Sequence, residues 1–236
     1  MTSFPPVLIL CGGMGTRMKS VYPDLPKAMM PLNGEPFIAH QLRLLAREAV
    51  KKVILCVGYG SESIIEYVGS GHTFGIDIRY SYDGEKLLGT GGAVRQASRG
   101  LVGPFAVLYG DSYLDIALAS IFNTFKKENK LGLMTVFKNN NRWIPSNVLC
   151  DSGLVLEYNK LCPRKGMQYV DYGLSVFQPQ IFSAISEDEV SDLADVFLSL
   201  IKNRQLVAYN VLERFYEAGT PQGLRELESY LNKKNK

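Results

Sequence analysis

The stretch Val7-Leu8-Ile9-Leu10-Cys11-Gly12-Gly13-Met14-Gly15-Thr16-Arg17 decides how this chain is read. Its first five residues form an unbroken apolar run, the pattern of a strand buried on both faces of a parallel sheet. Glycines directly after such a strand let the backbone approach a phosphate closely and aim N–H groups at it. Two common readings of a glycine loop fail on spacing. A Walker A loop needs four residues between its glycines and then Gly-Lys-Ser/Thr, which is absent. A dinucleotide fingerprint needs Gly or Ala at its third position, which counted from Gly13 is Met18. What remains is a glycine loop carrying a fixed cation, Arg17, against the plainer reading of a Gly-rich turn between two elements.

Working outward, short β-rich runs alternate with helical patterns. Phe37–Ala49 has helical spacing and is entered through Asn33-Gly34-Glu35-Pro36. Val53–Val57 is the next strand, Ser61–Val68 a short helix that Ser61 would cap, and Ile76–Tyr80 and Phe105–Tyr109 two further strands. Between these last two, Gly91–Ala97 reads as a helix whose first turn is made of glycines. Strands separated by helices argue for βαβ units and a mainly parallel sheet. The second half predicts helices over Ile116–Lys127, Leu193–Lys202 and Pro221–Leu231, the last with Pro at its first position. Its strands are expected at Leu131–Phe137, Asn147–Cys150, Leu154–Tyr158, Tyr169–Phe177 and Leu206–Val211. The expectation is an α/β chain with a Rossmann-like mixed sheet flanked by helices and a β-rich region in its second half. It is read as one domain over 1–236, with parts at about 1–130, 131–220 and a terminal helix at 221–232.

Composition excludes several classes. With 236 residues, 46% of them apolar and 21% charged, the chain is neither disordered, collagenous nor a disulfide scaffold. A net charge of +3 is too small for the basic face of a nucleic-acid protein. Cys11, Cys56, Cys150 and Cys162 have no CxxC spacing and read as free thiols of a reducing compartment. The start, Met-Thr-Ser-Phe-Pro-Pro, lacks the basic region of a signal peptide, and no apolar run approaches a membrane span. A cytoplasmic protein without membrane or nucleic-acid partners is expected.

Other segments carry groups suited to phosphate and metal chemistry. Pro26-Lys27-Ala28-Met29-Met30-Pro31 brings a second cation ten residues after Arg17, held by rigid prolines. Leu88-Gly89-Thr90-Gly91-Gly92-Ala93 is a second glycine turn. Tyr109-Gly110-Asp111-Ser112-Tyr113-Leu114-Asp115 puts Asp111 just past a buried strand, at the edge where parallel α/β sheets bind ligands. A carboxylate there suits Mg²⁺, which takes one or two carboxylates plus substrate phosphates. Asp115 is the better cap for the helix near 116–127. Glu217 precedes Gly219-Thr220-Pro221 at the last helix, where it would otherwise be an ordinary capping turn. His40 and His72 read as structural or solvent-facing.

Together and in this order, these segments resemble the sugar-1-phosphate nucleotidylyltransferases. The resemblance runs from residue 7 to 221, through a G-G-x-G-T-R loop, a P-K-x-x-x-P-x-x-G-x-P segment, a G-T-G-G-A turn, a G-D site and a late G-T-P. It implies transfer of a nucleoside monophosphate from a triphosphate to a sugar 1-phosphate, with release of pyrophosphate. By position, Arg17 and Lys27 would bind the reacting phosphates, and Asp111 with Glu217 would hold Mg²⁺. Leu10, Gly12, Gly13, Gly15, Thr16, Gly89 and Gly91 would line the nucleotide. Asn147, Glu157, Lys160, Asp171 and Gly173 stand where the family reads the sugar phosphate, with departures that leave the sugar open. Glu217 stands where Asp is usual.

The loops look most like those of heptose- and mannose-1-phosphate guanylyltransferases. Glu85 would accept both N–H donors of guanine's Watson–Crick edge, although a carboxylate also suits uracil and a uridylyltransferase. A glycosyltransferase would want a D-x-D turn where this chain has Asp111-Ser112-Tyr113. A non-catalytic nucleotide-sugar binder would be expected to lack one of Arg17, Lys27 and Asp111. Partners are thus a nucleoside triphosphate and a sugar 1-phosphate, and a homodimer is admitted.

Overall fold

The computed structural model describes residues 4–13, 22, 25–58, 60–84, 86–160, 164–187 and 189–234. In chain order it shows β1 (Val7–Leu10), β2 (Pro31–Leu32), β3 (Glu35–Pro36), α1 (Phe37–Arg47), β4 (Lys52–Val57), α2 (Ser61–Val68) and β5 (Asp77–Tyr82). Next come α3 (Gly89–Ala97), β6 (Phe105–Tyr109), β7 (Ser112–Tyr113), α4 (Leu118–Glu128) and β8 (Gly132–Lys138). Then follow β9 (Val148–Asp151), β10 (Leu154–Tyr158), β11 (Tyr169–Phe177) and α5 (Leu193–Lys202). The last are β12 (Leu206–Val211), β13 (Tyr216–Glu217) and α6 (Pro221–Lys234). The chain divides into two compact units. The first comprises Met1–Leu87, Leu108–Asp115 and Phe215–Lys236, and the second Leu88–Val107 and Ile116–Arg214. Helix α3 therefore groups with the later residues, and α6 with the earliest ones.

In the first unit β1 pairs in parallel with β4, and β4 with β5. Both faces of β1 and β4 are covered, which is why their sequences run apolar without alternation. Strand β5 alternates instead, with Ile78 buried and Asp77 and Arg79 exposed. The hairpin β2–β3 turns on Asn33 and Gly34, whose φ of +50° and +82° are those of a primed two-residue turn. It delivers the chain into α1, which buries Phe37, Ile38, Leu42 and Leu45. Helix α6 seats Leu227 and Leu231 on a core of Met30, Leu32, Phe37 and Tyr113.

The second unit carries a mixed sheet. Strand β8 pairs antiparallel with β11 and parallel with β12, β12 antiparallel with β10, and β10 antiparallel with β9. Phe105, Phe177 and Phe182 pack together there, and Phe197 of α5 meets both Tyr158 and Phe177.

Two capping expectations are corrected. Helix α2 starts from Gly60 in the left-handed region, and Ser61 already lies inside the helix without a side-chain cap. Asp115 does not cap α4, which is preceded by Ala117. It lies on the first unit and accepts from Arg47, Tyr230 and Lys234. Two cations and one hydroxyl in reach outcompete the local N–H groups for one carboxylate. His40 meets the Leu32 carbonyl at 2.9 Å through Nε2, a structural use. Cys11, Cys56 and Cys150 are free thiols, with burial pushing Cys11 up to about 12. Cys162 lies outside the described residues. No helix of the described residues is long and apolar enough to cross a membrane.

Candidate active site

On the first unit the geometry centres on the turn after β6. A Cβ at Gly110 would lie 2.2 Å from the Leu10 carbonyl oxygen, so only glycine lets this turn settle against the end of β1. That contact brings Asp111 beside the strand that leads into the glycine loop. Lys27 opens a short 3₁₀ turn after an extended Pro26 and donates from Nζ to Asp111 Oδ2 at 2.9 Å. Both side chains keep about a fifth to a quarter of their surface in water, which leaves the pair within reach of a ligand.

Asp111 and Glu217 are far apart in sequence and adjacent in the fold. Strands β7 and β13 pair antiparallel with Glu217 opposite Ser112, and the Ala218 N–H donates to the Asp111 carbonyl at 2.8 Å. The Glu217 carboxylate accepts from the Gly219 N–H at 2.6 Å and from the Thr220 hydroxyl. Thr220 in turn accepts from the Gly223 N–H at 3.0 Å, as an N-cap of α6 does. A Cβ at Gly223 would sit 1.9 Å from Glu217 Oε1, so the glycine makes room for that carboxylate. Glu217 is therefore engaged at the start of α6, the use that its Gly-Thr-Pro context suggested.

The glycines after β1 differ from one another. A Cβ at Gly12 would meet the Gly58 nitrogen at 3.3 Å and an Asp83 carboxylate oxygen at 3.4 Å, whereas Gly13 is exposed and a Cβ there would meet no atom of the described residues within 4 Å. Leu10 is half-buried. Gly15, Thr16, Arg17 and Glu85 lie outside the described residues.

On the second unit the glycine turn that opens α3 is packed against residues 189–192. Gly89 has a φ of +73°, and a Cβ there would lie 2.5 Å from the Ser191 carbonyl oxygen. The Gly91 N–H donates to that same carbonyl at 2.8 Å. Thr90 Oγ1 accepts from the Leu193 N–H at 2.8 Å and donates to Asp192 at 3.1 Å. These glycines are thus accounted for by close packing within the chain, a use that sequence reading missed because Ser191 lies a hundred residues away.

The expected sugar-side residues fall into three places. Asn147 and Asp171 come together, the Asp171 N–H donating to Asn147 Oδ1 at 3.2 Å. Asp171 Oδ1 accepts from the Gly173 N–H at 3.0 Å, with Gly173 at φ +100°, where the β11–β8 register shifts. Glu157 forms a two-point pair with Arg164, whose guanidinium holds that carboxyl below its ordinary range. Lys160 pairs with Asp192 at 3.2 Å, while Asp192 also caps α5 through the Ala194 N–H. Arg164 and Asp192 were not singled out from sequence, where each is one charged residue among many.

Comparison with known proteins then gives the family. A profile described as Nucleotidyl transferase matches residues 6–144, more than half of the chain. The D-glycero-alpha-D-manno-heptose 1-phosphate guanylyltransferase of Campylobacter jejuni is 31% identical over 219 residues, covering 91% of this chain and 95% of that protein. The protein of the same name from Aneurinibacillus thermoaerophilus is 37% identical over 130 residues, 53% of this chain and 56% of its own. The crystal structure of HddC from Yersinia pseudotuberculosis complexed with GMP-PN superposes with a TM-score of 0.80 at 22% identity, covering 97% of this chain and 100% of that one. That likeness bears on the fold, and it agrees with the Rossmann-like α/β reading. The chain belongs to the nucleotidyl transferase family, as a sugar-1-phosphate nucleotidyltransferase.

Proposed function

We propose that the chain transfers GMP from GTP to heptose 1-phosphate or mannose 1-phosphate, giving a GDP-sugar and pyrophosphate. The names of the Campylobacter and Aneurinibacillus relatives support the base and the sugar class. The observation that carries the reading is the Lys27–Asp111 pair on the turn packed against the end of β1. It sets a cation and a carboxylate where the glycine loop begins. A sugar 1-phosphate has a second pKa near ~6, so its oxygen is an anionic nucleophile at neutral pH without a general base. That oxygen forms the new bond to the α-phosphorus as the bond from phosphorus to the bridging oxygen breaks. The electron pair leaves on pyrophosphate. The chain's task is charge neutralisation and in-line positioning. Lys27 would bind the phosphates through Nζ, and Arg17 would follow the charge that develops on the leaving group.

The donor types suit a hard cation. Asp111 immediately precedes β7, Glu217 lies on its partner β13, the Ala218 N–H holds the Asp111 carbonyl, and an ammonium is already drawn to the Asp111 carboxylate. Asp111 and Glu217 would hold Mg²⁺, which when bound neutralises charge on the triphosphate. On the second unit Asn147, Asp171 and Gly173 would contact the sugar phosphate, with Glu157 and Lys160 contributing from their ion pairs. Glu85 would read the base. A cytoplasmic setting, a chain acting alone or as a homodimer, and no nucleic-acid or membrane partner complete the reading.

Pyrophosphate release across a panel of triphosphates and sugar 1-phosphates tests it. Fastest turnover is expected for GTP with heptose or mannose 1-phosphate, and Glu85→Gln should erode the preference for GTP over UTP. Faster turnover with UTP would overturn the base assignment. Release with no pair in the panel would overturn the reaction itself.

A further inference from the structure

Gln41 is the buried polar residue of α1, 2% exposed on a face otherwise made of Phe37, Ile38, Leu42 and Leu45. Its Nε2 donates twice, to the Tyr109 carbonyl at 3.2 Å and to the Ser112 carbonyl at 2.8 Å. These carbonyls flank Gly110 and Asp111, so one amide nitrogen spans the turn that carries the carboxylate. Its Oε1 is buried without a hydrogen-bond partner among the described residues. An orphaned buried acceptor is unfavourable, and an aliphatic side chain of this size would suit the same face better. The amide is explained by its two donors alone.

We propose that Gln41 is a positioning residue that sets Asp111 and Glu217 for the divalent cation, an inference that rests on the metal role given to those two carboxylates. Three braces meet at this turn. Gly110 lies against the Leu10 carbonyl, the Ala218 N–H holds the Asp111 carbonyl, and Gln41 ties Tyr109 to Ser112. Ser112 is also the ladder partner of Glu217, so the same amide acts on both carboxylate-bearing segments. Removing it leaves the core filled and frees the turn to drift. A metal asking for near-octahedral geometry tolerates little drift in its ligands.

Gln41→Met keeps the length of the side chain, removes both donors and relieves the orphaned acceptor; Gln41→Leu is the second variant. Mn²⁺ serves as the probe, titrated by water-proton relaxation with and without a nucleoside triphosphate. Loss of a group that orients a metal ligand typically costs 10–100-fold in affinity. We expect the Mn²⁺ dissociation constant to rise ~10-fold or more in a folded variant. Half-saturating Mg²⁺ for turnover should rise in parallel, while kcat at saturating Mg²⁺ stays within a few-fold of wild type. Unchanged Mn²⁺ affinity, or failure of both variants to fold, would overturn the inference by leaving Gln41 a residue of the fold. Asp111→Asn separates the two claims: if it binds Mn²⁺ as tightly as wild type, the metal reading itself fails.

Discussion

Replacing Asp115 by Asn should cost about 2 kcal/mol at neutral pH, and the figure follows from the clasp that this carboxylate makes. Burial alone would push the Asp115 carboxyl up. Hydrogen bonds from Lys234, Tyr230 and Arg47, with the Arg47 charge, more than offset that and bring it from 3.8 to about 2. A gap of nearly two pKa units corresponds to ~2.5 kcal/mol. Arg47 and Lys234 are almost half-exposed, so solvent trims the effect to ~2 kcal/mol, although Asp115 itself is only 12% exposed. Because folding lowers this pKa, the stabilisation is fully present above about pH 4 and is lost as pH falls towards 2. Tyr230 also stacks on Tyr216 at 4.4 Å, so the clasp ties α6 to the ladder that bears Glu217. Urea denaturation of wild type and Asp115→Asn at pH 7, 5 and 3 is the assay. In a parallel thermal melt at pH 7 the variant should unfold ~4–8 °C lower. Its deficit should hold to pH 5 and narrow at pH 3. A deficit under ~0.5 kcal/mol at pH 7, or one that is equal at pH 7 and pH 3, would refute the reasoning.

Arg17→Ala should remain folded and lose ~10²–10³ in kcat, as removal of a preorganised charge does; turnover within a few-fold of wild type would reject a role on the phosphates. Glu217→Gln must face either the Gly219 N–H or the Thr220 hydroxyl with an amide nitrogen, so stability should fall by ~1–2 kcal/mol. The same variant should need more Mg²⁺ and recover with excess; a melting shift with unchanged Mg²⁺ dependence would make Glu217 a cap alone. Gly89→Ala combines a left-handed φ with a Cβ 2.5 Å from the Ser191 carbonyl, whereas Gly100→Ala carries a similar φ of +75° and open space. Calorimetry should find the first costing ~2–3 kcal/mol and the second ~1 kcal/mol, and equal losses would show that the packing against Ser191 is immaterial.

Much of the architecture was legible in the chain. Strands Phe105–Tyr109, Leu154–Tyr158, Tyr169–Phe177 and Leu206–Val211 and helix Leu193–Lys202 stand where the apolar runs and periodicity put them. Each is long or strongly patterned enough for local preference and burial to agree. At α2 the expected bounds Ser61–Val68 stand and only the cap differs, because Gly60 in the left-handed region takes the place expected of Ser61. The reaction class was legible too, because glycines and fixed cations at set spacings are a local signature.

What the sequence by itself determined is therefore the order of strands and helices, the glycine loop after β1, and the candidacy of Lys27, Asp111 and Glu217. Only the tertiary structure decided what those residues touch. It paired Lys27 with Asp111, set Glu217 opposite Ser112 and engaged its carboxylate at the head of α6. It drew Asp115 away from the neighbouring helix towards Arg47, Tyr230 and Lys234, and it packed Ser191 on Gly89 and Gly91. It also placed Gln41, one polar residue on an apolar helix face, behind the Asp111 turn. The reason is physical. Backbone preference and hydrophobic period act over a few residues and can be read along the chain, whereas a hydrogen bond or a close glycine contact depends on partners that only folding brings within reach.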